Sequence, residues 1–215
     1  MAISKANFNS FNVTPSASKF ITFNSSNNGL AADDVGGNLK LLSTQTASSS
    51  ATISFTSGID STYKEYIFKF INIHPETNTT KLQINASADT GSNYNVTKTT
   101  TYFQAYHTES DSATALQYYA NRDLAQSTSA QQLKDIGNTS DDSAAGTLHL
   151  FNPSSTTFVK HFFSTFTGAT GESTQNLHNS FVGGYFNTTS AIDAIQFKMA
   201  SGNIDSGVIK MYGVV

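Results

Sequence analysis

The stretch Tyr66-Ile67-Phe68-Lys69-Phe70 decides the fold, because its bulky residues Tyr66, Phe68 and Phe70 recur at every second position. A β-strand turns successive side chains to opposite faces, so this spacing places the three rings on one face of a strand. The same alternation recurs in four further runs, which contain Ile53 and Phe55, Leu82 and Ile84, Ile195, Phe197 and Met199, and Ile209 and Met211. Such runs are typical of antiparallel sheets with one face in a core and the other in water.

Two segments are predicted to be hairpins between such strands. In residues 147–163 the turn signal is Asn152-Pro153-Ser154-Ser155, because Pro presets φ and Asn bonds to local backbone. In residues 194–214 the turn signal is the Ser- and Gly-rich segment 201–207. With the other runs this makes about eight to ten short strands, which predicts an all-β fold, an antiparallel β-sandwich that is jelly-roll-like. Residues 121–146, rich in Gln, Ala, Ser and Asp, are predicted to form a long surface loop or one short helix.

Residues 1–38 differ from the sandwich domain predicted for residues 39–215. Their aromatic residues are scattered among Ser, Asn and Thr, at Phe8, Phe11, Phe20 and Phe23. An extended N-terminal arm of this kind can anchor a chain by docking its rings onto a neighbouring subunit. The alternative is an extra edge strand with a flexible start.

Composition excludes several classes of protein. Charged residues make up 13% of the chain, the net charge is −3, and Arg122 is the only arginine, so we expect no nucleic-acid binding. The chain contains no Cys, which removes disulfides, thiol catalysis and zinc–thiolate sites. We expect neither a signal peptide nor membrane insertion, because no apolar run approaches the ~20 residues of a membrane span. A protein made in a host cytoplasm and released by lysis would fit these features.

No specific catalytic motif is present, so the sequence predicts no catalytic residue, no metal site and no cofactor. His149 and His161 could face one another across the first hairpin, but a third metal ligand is missing. Residues 89–95 alternate oxygen-bearing side chains as calcium loops do, yet they lack a bidentate Glu, and an Asx-rich turn headed by Asp89 is the preferred interpretation. Asp193 leads into an apolar strand, and we interpret it as a strand-entry cap rather than a catalytic acid.

Tyrosines before the long polar stretch are the candidate ligand platform. Exposed Tyr rings can stack on sugar rings. The candidates for glycan binding are Tyr102, Tyr106, Tyr118 and Tyr119. Packing in the core is the alternative explanation for these residues.

Several phrases of the sequence resemble small β-sandwich virion structural proteins of marine tailed phages, as found in cyanophages. The likeness covers about residues 40–215 and rests on segments that recur in the same order: 55–66 (FTSGIDSTYKEY), 71–75 (INIHP), 150–157 (LFNPSSTT), 159–162 (VKHF) and 201–213 (SGNIDSGVIKMYG). The resemblance implies a β-sandwich displayed on a capsid or tail. It carries no catalytic residues.

The resemblance implies a non-enzymatic virion structural protein, a capsid decoration or a tail or fibre component, whose partners are other capsid or tail proteins. A receptor- or glycan-binding module of the tail, attached to a host-surface glycan, is the second hypothesis, and a polysaccharide-cleaving enzyme that uses Asp193 is the third. A homotrimer would shield the open strand edges of a sandwich, and single copies at a capsid lattice point are the alternative.

Overall fold

The structure is a computed structural model that describes residues 19–23, 30–34, 38–170 and 176–215. Its fourteen strands, in chain order, are β1 (Lys19–Phe23), β2 (Leu30–Asp34), β3 (Leu39–Ser50), β4 (Ile53–Phe55), β5 (Glu65–Pro75), β6 (Thr80–Ser87), β7 (Lys98–Thr108), β8 (Thr114–Tyr118), β9 (Gln131–Ile136), β10 (Ala144–Phe151), β11 (Lys160–Thr170), β12 (Asn176–Phe186), β13 (Ala194–Met199) and β14 (Ile204–Val214). The described residues contain no helix, and therefore none that is long and apolar enough to cross a membrane.

The predicted antiparallel β-sandwich is confirmed for Leu39–Val215. One sheet has eight strands in the order β3-β14-β5-β10-β11-β12-β7-β8, and the other has four in the order β4-β13-β6-β9. All their pairings are antiparallel. The chain forms more strands than predicted.

The core lies between the two sheets and is rich in phenylalanine, as the alternating runs predicted. Phe68 and Phe70 project from β5 of the larger sheet and are buried. They meet Phe197 of the smaller sheet edge-on, with ring centroids 5.4 and 4.9 Å apart. Phe55 adds a further edge-on contact to Phe68 at 5.2 Å. These contacts join the sheets at their centre, in the geometry that aromatic quadrupoles favour.

The prediction of a loop or helix for residues 121–146 is wrong over part of its length, because Gln131–Ile136 forms β9. All six of its residues are buried, including the polar Gln131 and Lys134. The strand was hidden in the sequence because polar side chains occupy both of its faces. Their hydrogen bonds form only in the folded state: the Gln131 amide donates to the Arg122 carbonyl, and the Lys134 ammonium to that of Asp135.

One predicted hairpin is confirmed and the other is wrong. Strands β10 and β11 pair directly around the Asn-Pro-Ser-Ser turn, with Leu150 opposite Phe162. Strands β13 and β14 do not pair with one another. Strand β13 pairs with β4 and β6, whereas β14 pairs with β3 and β5. The segment between them therefore carries the chain from the smaller sheet to the larger one.

Three lysines are fully buried, which the sequence did not suggest. Each ammonium donates a hydrogen bond to a backbone carbonyl oxygen: Lys98 to Ser129, Lys134 to Asp135, and Lys160 to Thr188. Burial lowers the pKa of both Lys98 and Lys134 to about 8.

Met1–Asn38 is a separate unit of the structure. In it, β1 and β2 pair antiparallel as a two-stranded sheet of their own, with Phe23 opposite Leu30. Phe20 also lies in β1, whereas Phe8 and Phe11 lie outside the described residues. The anchoring role of the four phenylalanines stays a prediction.

Candidate functional site

The four candidate tyrosines do not form one surface. Tyr118 is 57% exposed on the outer face of the eight-stranded sheet, and its hydroxyl donates to the Asp123 carboxylate. Tyr106 and Tyr119 line a cleft on the other side of the same strands. Tyr102 is fully buried, so its proposed role as an exposed sugar platform is corrected: its ring packs edge-on against Tyr119, with centroids 6.0 Å apart. Alternation explains why Tyr118 faces away from the cleft, because Tyr118 pairs with Phe103, and Phe103 points to the opposite face of β7 from Tyr102 and Tyr106.

The cleft lies where β7, β8 and β12 of the larger sheet approach β9 of the smaller one. We call it the Arg122 cleft. It consists of two cavities of about 470 and 330 Å³ that share Asn176 and His178 in their walls. Arg122 and Asp135 line the smaller cavity, and Tyr119 lines the larger one. The volumes fall in the range of small-molecule sites.

Arg122, the only arginine, is held rigidly in this cleft. Its Nη1 lies 2.5 Å from Oδ2 of the buried Asp135. The guanidinium carbon lies 4.5 Å from the ring centroid of Tyr119 and 5.3 Å from that of Tyr102, so two aromatic rings contact the cation. A charge that is paired and packed in this way keeps one geometry. Three distant parts of the chain are thereby joined.

A hydrogen-bond chain runs from Arg122 to His178 through Gln104. Arg122 Nη1 donates to Gln104 Oε1 at 3.2 Å, and so does the Tyr102 hydroxyl at 3.0 Å. Both donors therefore face the amide oxygen, and the Gln104 Nε2 group must point to His178 Nδ1, which lies 3.0 Å away. Because this amide nitrogen only donates, Nδ1 accepts and the neutral imidazole carries its proton on Nε2.

The surroundings keep His178 neutral. Burial lowers its pKa to about 4, and the positive charges of Lys134 and Arg122 add to the effect. None of the described residues forms a hydrogen bond with His178 Nε2. On the same strand, Asn176 Oδ1 is buried and has no hydrogen-bond partner among the described residues. The cleft thus has one donor of fixed tautomer, His178 Nε2, and one unsatisfied acceptor beneath its wall, Asn176 Oδ1.

The other polar candidates have structural partners. His149 lies opposite Phe163 rather than His161 in the register, and its Nδ1 is 2.6 Å from Glu65 Oε1. Within the described residues, no group of three or more His, Asp or Glu side chains is arranged to hold a metal ion. Asp89 heads an Asx-type turn, in which hydrogen bonds from Ser87 and Asn93 lower its pKa to about 2.

Asp193 has the backbone role that was expected of it. Its two carboxylate oxygens accept hydrogen bonds from the Thr90 backbone N–H at 3.0 and 3.1 Å, just before β13 begins. The carboxylate therefore links the start of that strand to the turn after β6. This contact is a bridge between two loops of the smaller sheet.

The outer face of the eight-stranded sheet carries rows of apolar side chains. In the first row, Phe103 lies opposite Tyr118 on one side and Phe181 on the other, and its ring stacks on Phe181 with centroids 4.9 Å apart. In the second row, Phe163 stacks on His149 at 4.5 Å. The second row continues across the next strands through Ile67, Tyr212 and Leu41.

These outer residues are open to solvent, since Phe103 is 40% and Phe163 44% exposed. A groove of about 500 Å³ lies on the same face, lined by Ala145, Thr147 and Phe181 among others. Monomeric proteins rarely expose large contiguous apolar patches, and such patches usually mark sites of interaction with another molecule. The alternation rule had assigned this face to water. The sequence did contain a signal for an apolar outer face, namely pairs of adjacent aromatic residues such as Phe162-Phe163 and Tyr102-Phe103. Such pairs place one aromatic ring on each face of a strand.

The Arg122 cleft was also missed, except for Tyr106 and Tyr119. Arg122 and Asp135 lie in the polar stretch that was predicted to be a loop, so no local pattern linked them to Gln104 or His178. Comparisons of the chain with protein-family models, with curated proteins and with solved structures found no match.

Proposed function

We propose that the chain is a non-enzymatic structural protein of a tailed-phage virion, exposed on the capsid or tail and held there by contacts with other virion proteins. The observation that carries the proposal is the apolar outer face of the eight-stranded sheet, where one row of side chains covers β8, β7 and β12 and a second row covers β11 to β3. Such a face suits contact with another protein surface. Several segments of residues 55–213 resemble, in the same order, those of virion β-sandwich proteins. This resemblance indicates that the partner is another virion protein.

The open edge of the larger sheet supports assembly with further subunits. Strand β3 ends this sheet in the described part of the chain, and it is twelve residues long with Lys40 as its one charged residue. Long edges with few charges are templates for pairing with another chain. A homotrimer is the assembly that we propose for this edge, and native mass spectrometry of the purified chain measures it directly.

Purified particles provide the test of the virion role. Quantitative mass spectrometry of gradient-purified virions should detect the chain at many copies, and immunogold labelling should place it on the capsid or tail. Replacing Phe103 and Phe163 by Ser should lower the copy number, because both rings belong to the outer rows. The matched control is Phe158→Ser, since Phe158 is 69% exposed but lies in the turn between β10 and β11.

Two results would contradict the virion role. One is the absence of the chain from purified particles although infected cells contain it. The other is an unchanged copy number in the double Ser variant, provided that circular dichroism shows an intact fold, because the outer face would then make no essential contact.

A glycan-binding module of the tail is the second candidate, and the Arg122 cleft favours it. The cleft places Tyr106 and Tyr119 beside polar groups of fixed orientation, as sugar sites require. The same particle protein can serve both functions, since the cleft and the aromatic outer face lie on opposite faces of β7 and β8.

A further inference from the structure

We propose that the Arg122 cleft binds an uncharged, hydroxylated ring, one neutral sugar residue of a glycan, between His178 and Asn176 on the polar wall and the Tyr119 and Tyr106 rings. The inference rests on the second candidate function and deepens it. It assigns the ligand class and the two side chains that bind it.

The donor is His178 Nε2–H. Its identity follows from the chain of bonds that starts at Asp135, because an arginine can only donate and Gln104 must therefore turn its oxygen to Arg122. The Gln104 amide then donates to His178 Nδ1 and fixes the tautomer. Arg122 and Gln104 are positioning residues, since they act on the ligand through His178.

The acceptor is Asn176 Oδ1. Buried side-chain oxygens almost always have a hydrogen-bond partner, and each exception calls for an explanation. Asn176 lines both cavities, and its Oδ1 lies just beneath their wall, so a rotation of the amide would bring this oxygen to the ligand. A ligand hydroxyl can then donate to Asn176 Oδ1 while another hydroxyl of the same ring accepts from His178 Nε2. Asn176 and His178 are two apart on β12, so their side chains lie on the same face of that strand.

The groups of the cleft favour a neutral ligand over an anion. An ionised carboxylate group has only acceptor oxygens, so a carboxylate placed against Asn176 Oδ1 would leave that oxygen unsatisfied and repelled. Asp135, which lies 2.5 Å from Arg122, offsets much of the arginine's charge, and the buried Lys134 lines neither cavity. Lys81 also lines the smaller cavity and is exposed to solvent, where its charge is screened. Tyr119 and Tyr106 provide the apolar surface on which the C–H face of a sugar packs.

The first experiment is a titration of the ¹⁵N-labelled full chain, followed by two-dimensional NMR. The probes are the methyl glycosides of glucose, galactose, mannose, rhamnose and N-acetylglucosamine, with glucuronate and inorganic phosphate as anionic comparisons. At least one neutral glycoside should shift the signals of Asn176, His178 and Tyr119 at concentrations up to about 20 mM. No response to any neutral probe, or a stronger response to an anion at these residues, overturns the proposal.

Variants separate binding from folding. Asn176→Leu removes the acceptor and should weaken binding by about tenfold, whereas Asn176→Asp keeps an acceptor oxygen and should retain affinity within about threefold. Leu177→Ala is the matched control on the adjacent, outward position, where Leu177 is 49% exposed, and it should leave binding unchanged. Equal affinity of the Leu variant and the wild type, with dispersed spectra for both, contradicts the assignment.

The outcomes distinguish this inference from the virion role. Asn176→Leu should be incorporated into particles at the normal copy number, because Asn176 does not belong to the aromatic outer rows. A chain that is present in particles but binds no neutral glycoside refutes the sugar site and leaves the virion role standing. A chain that binds sugar at the cleft but is absent from particles gives the opposite result.

Discussion

Phe197 is the residue on which we expect the sandwich to depend most, because its ring joins the two sheets. It is fully buried on β13 and meets Phe70, Phe68 and Phe55 edge-on, with centroids 4.9, 5.4 and 6.2 Å apart. Replacement by Ala removes all three ring contacts and leaves a cavity between the sheets. Replacement by Leu keeps most of the apolar volume and removes only the aromatic geometry.

The size of the effect follows from these contacts. Truncation of a buried Phe to Ala lowers the free energy of unfolding by about 3–5 kcal/mol. Three aromatic pairs, each contributing about 0.5–1.5 kcal/mol beyond burial, place Phe197→Ala at the upper end of that range. The Leu variant loses mainly the pair terms, about 2 kcal/mol.

Urea unfolding followed by tyrosine fluorescence and circular dichroism measures both variants. With a slope of about 3 kcal/mol per M, the midpoint should fall by about 1.5 M for Phe197→Ala and by about 0.7 M for Phe197→Leu. Phe158→Ala is the control, since Phe158 is 69% exposed, and its midpoint should not move. If Phe197→Ala matches this control, the two sheets are not held together by the ring cluster.

Three further outcomes test the buried polar groups and the packing of β12. The pKa of His178 is about 4 in the folded chain and about 6.5 when unfolded, so the unfolded state takes up the proton first and stability should fall between pH 6.5 and 4. Because solvent screens this partly exposed ring, the fall should be about 1–2 kcal/mol, and urea midpoints for His178→Gln should show a weaker fall. The pKa of Lys98 is lowered to about 8 in the folded chain. From pH 8 to about pH 10 the unfolded chain therefore holds a proton that the folded chain has lost, and stability should rise with pH. If a Lys98→Met variant shows an equally steep rise, Lys98 is not the group responsible. A Cβ on Gly184 would lie 2.6 Å from the Thr99 carbonyl oxygen, so Gly184→Ala should destabilise by about 1–3 kcal/mol, whereas Gly183→Ala, whose nearest neighbour atom is 3.7 Å away, should be neutral or slightly stabilising in thermal melts.

The sequence by itself determined the fold class and the main apolar wall of the core. Alternation along Tyr66, Phe68 and Phe70 is a local property, since each strand turns its own side chains to two faces whatever its partners are. The turn at Asn152-Pro153 was equally local and gave the correct β10–β11 hairpin. Such signals need only neighbouring residues.

Local signals failed where burial depended on distant partners. Strand β9 carries Gln131, Lys134 and Asp135 into the interior, and their polarity predicted a loop. Gln131 and Asp135 are satisfied by Arg122, which lies in another segment, and those contacts exist only in the folded chain. The Lys134 ammonium donates to the carbonyl of its neighbour Asp135. The path from β13 to β14 was misread for a related reason, since a turn-rich segment can return a chain to the same sheet or carry it to the other one.

Only the tertiary structure decided the site. Sequence alone selected four tyrosines, of which only Tyr106 and Tyr119 line the cleft. Tyr118 lies on the outer face of the sheet, and Tyr102 is buried in the interior. The network from Asp135 through Arg122 and Gln104 to His178 joins residues of four separate segments. Its orientation and the neutral state of His178 arise from burial and from the fixed direction of each donor, and both are properties of a three-dimensional arrangement that no spacing along the chain encodes.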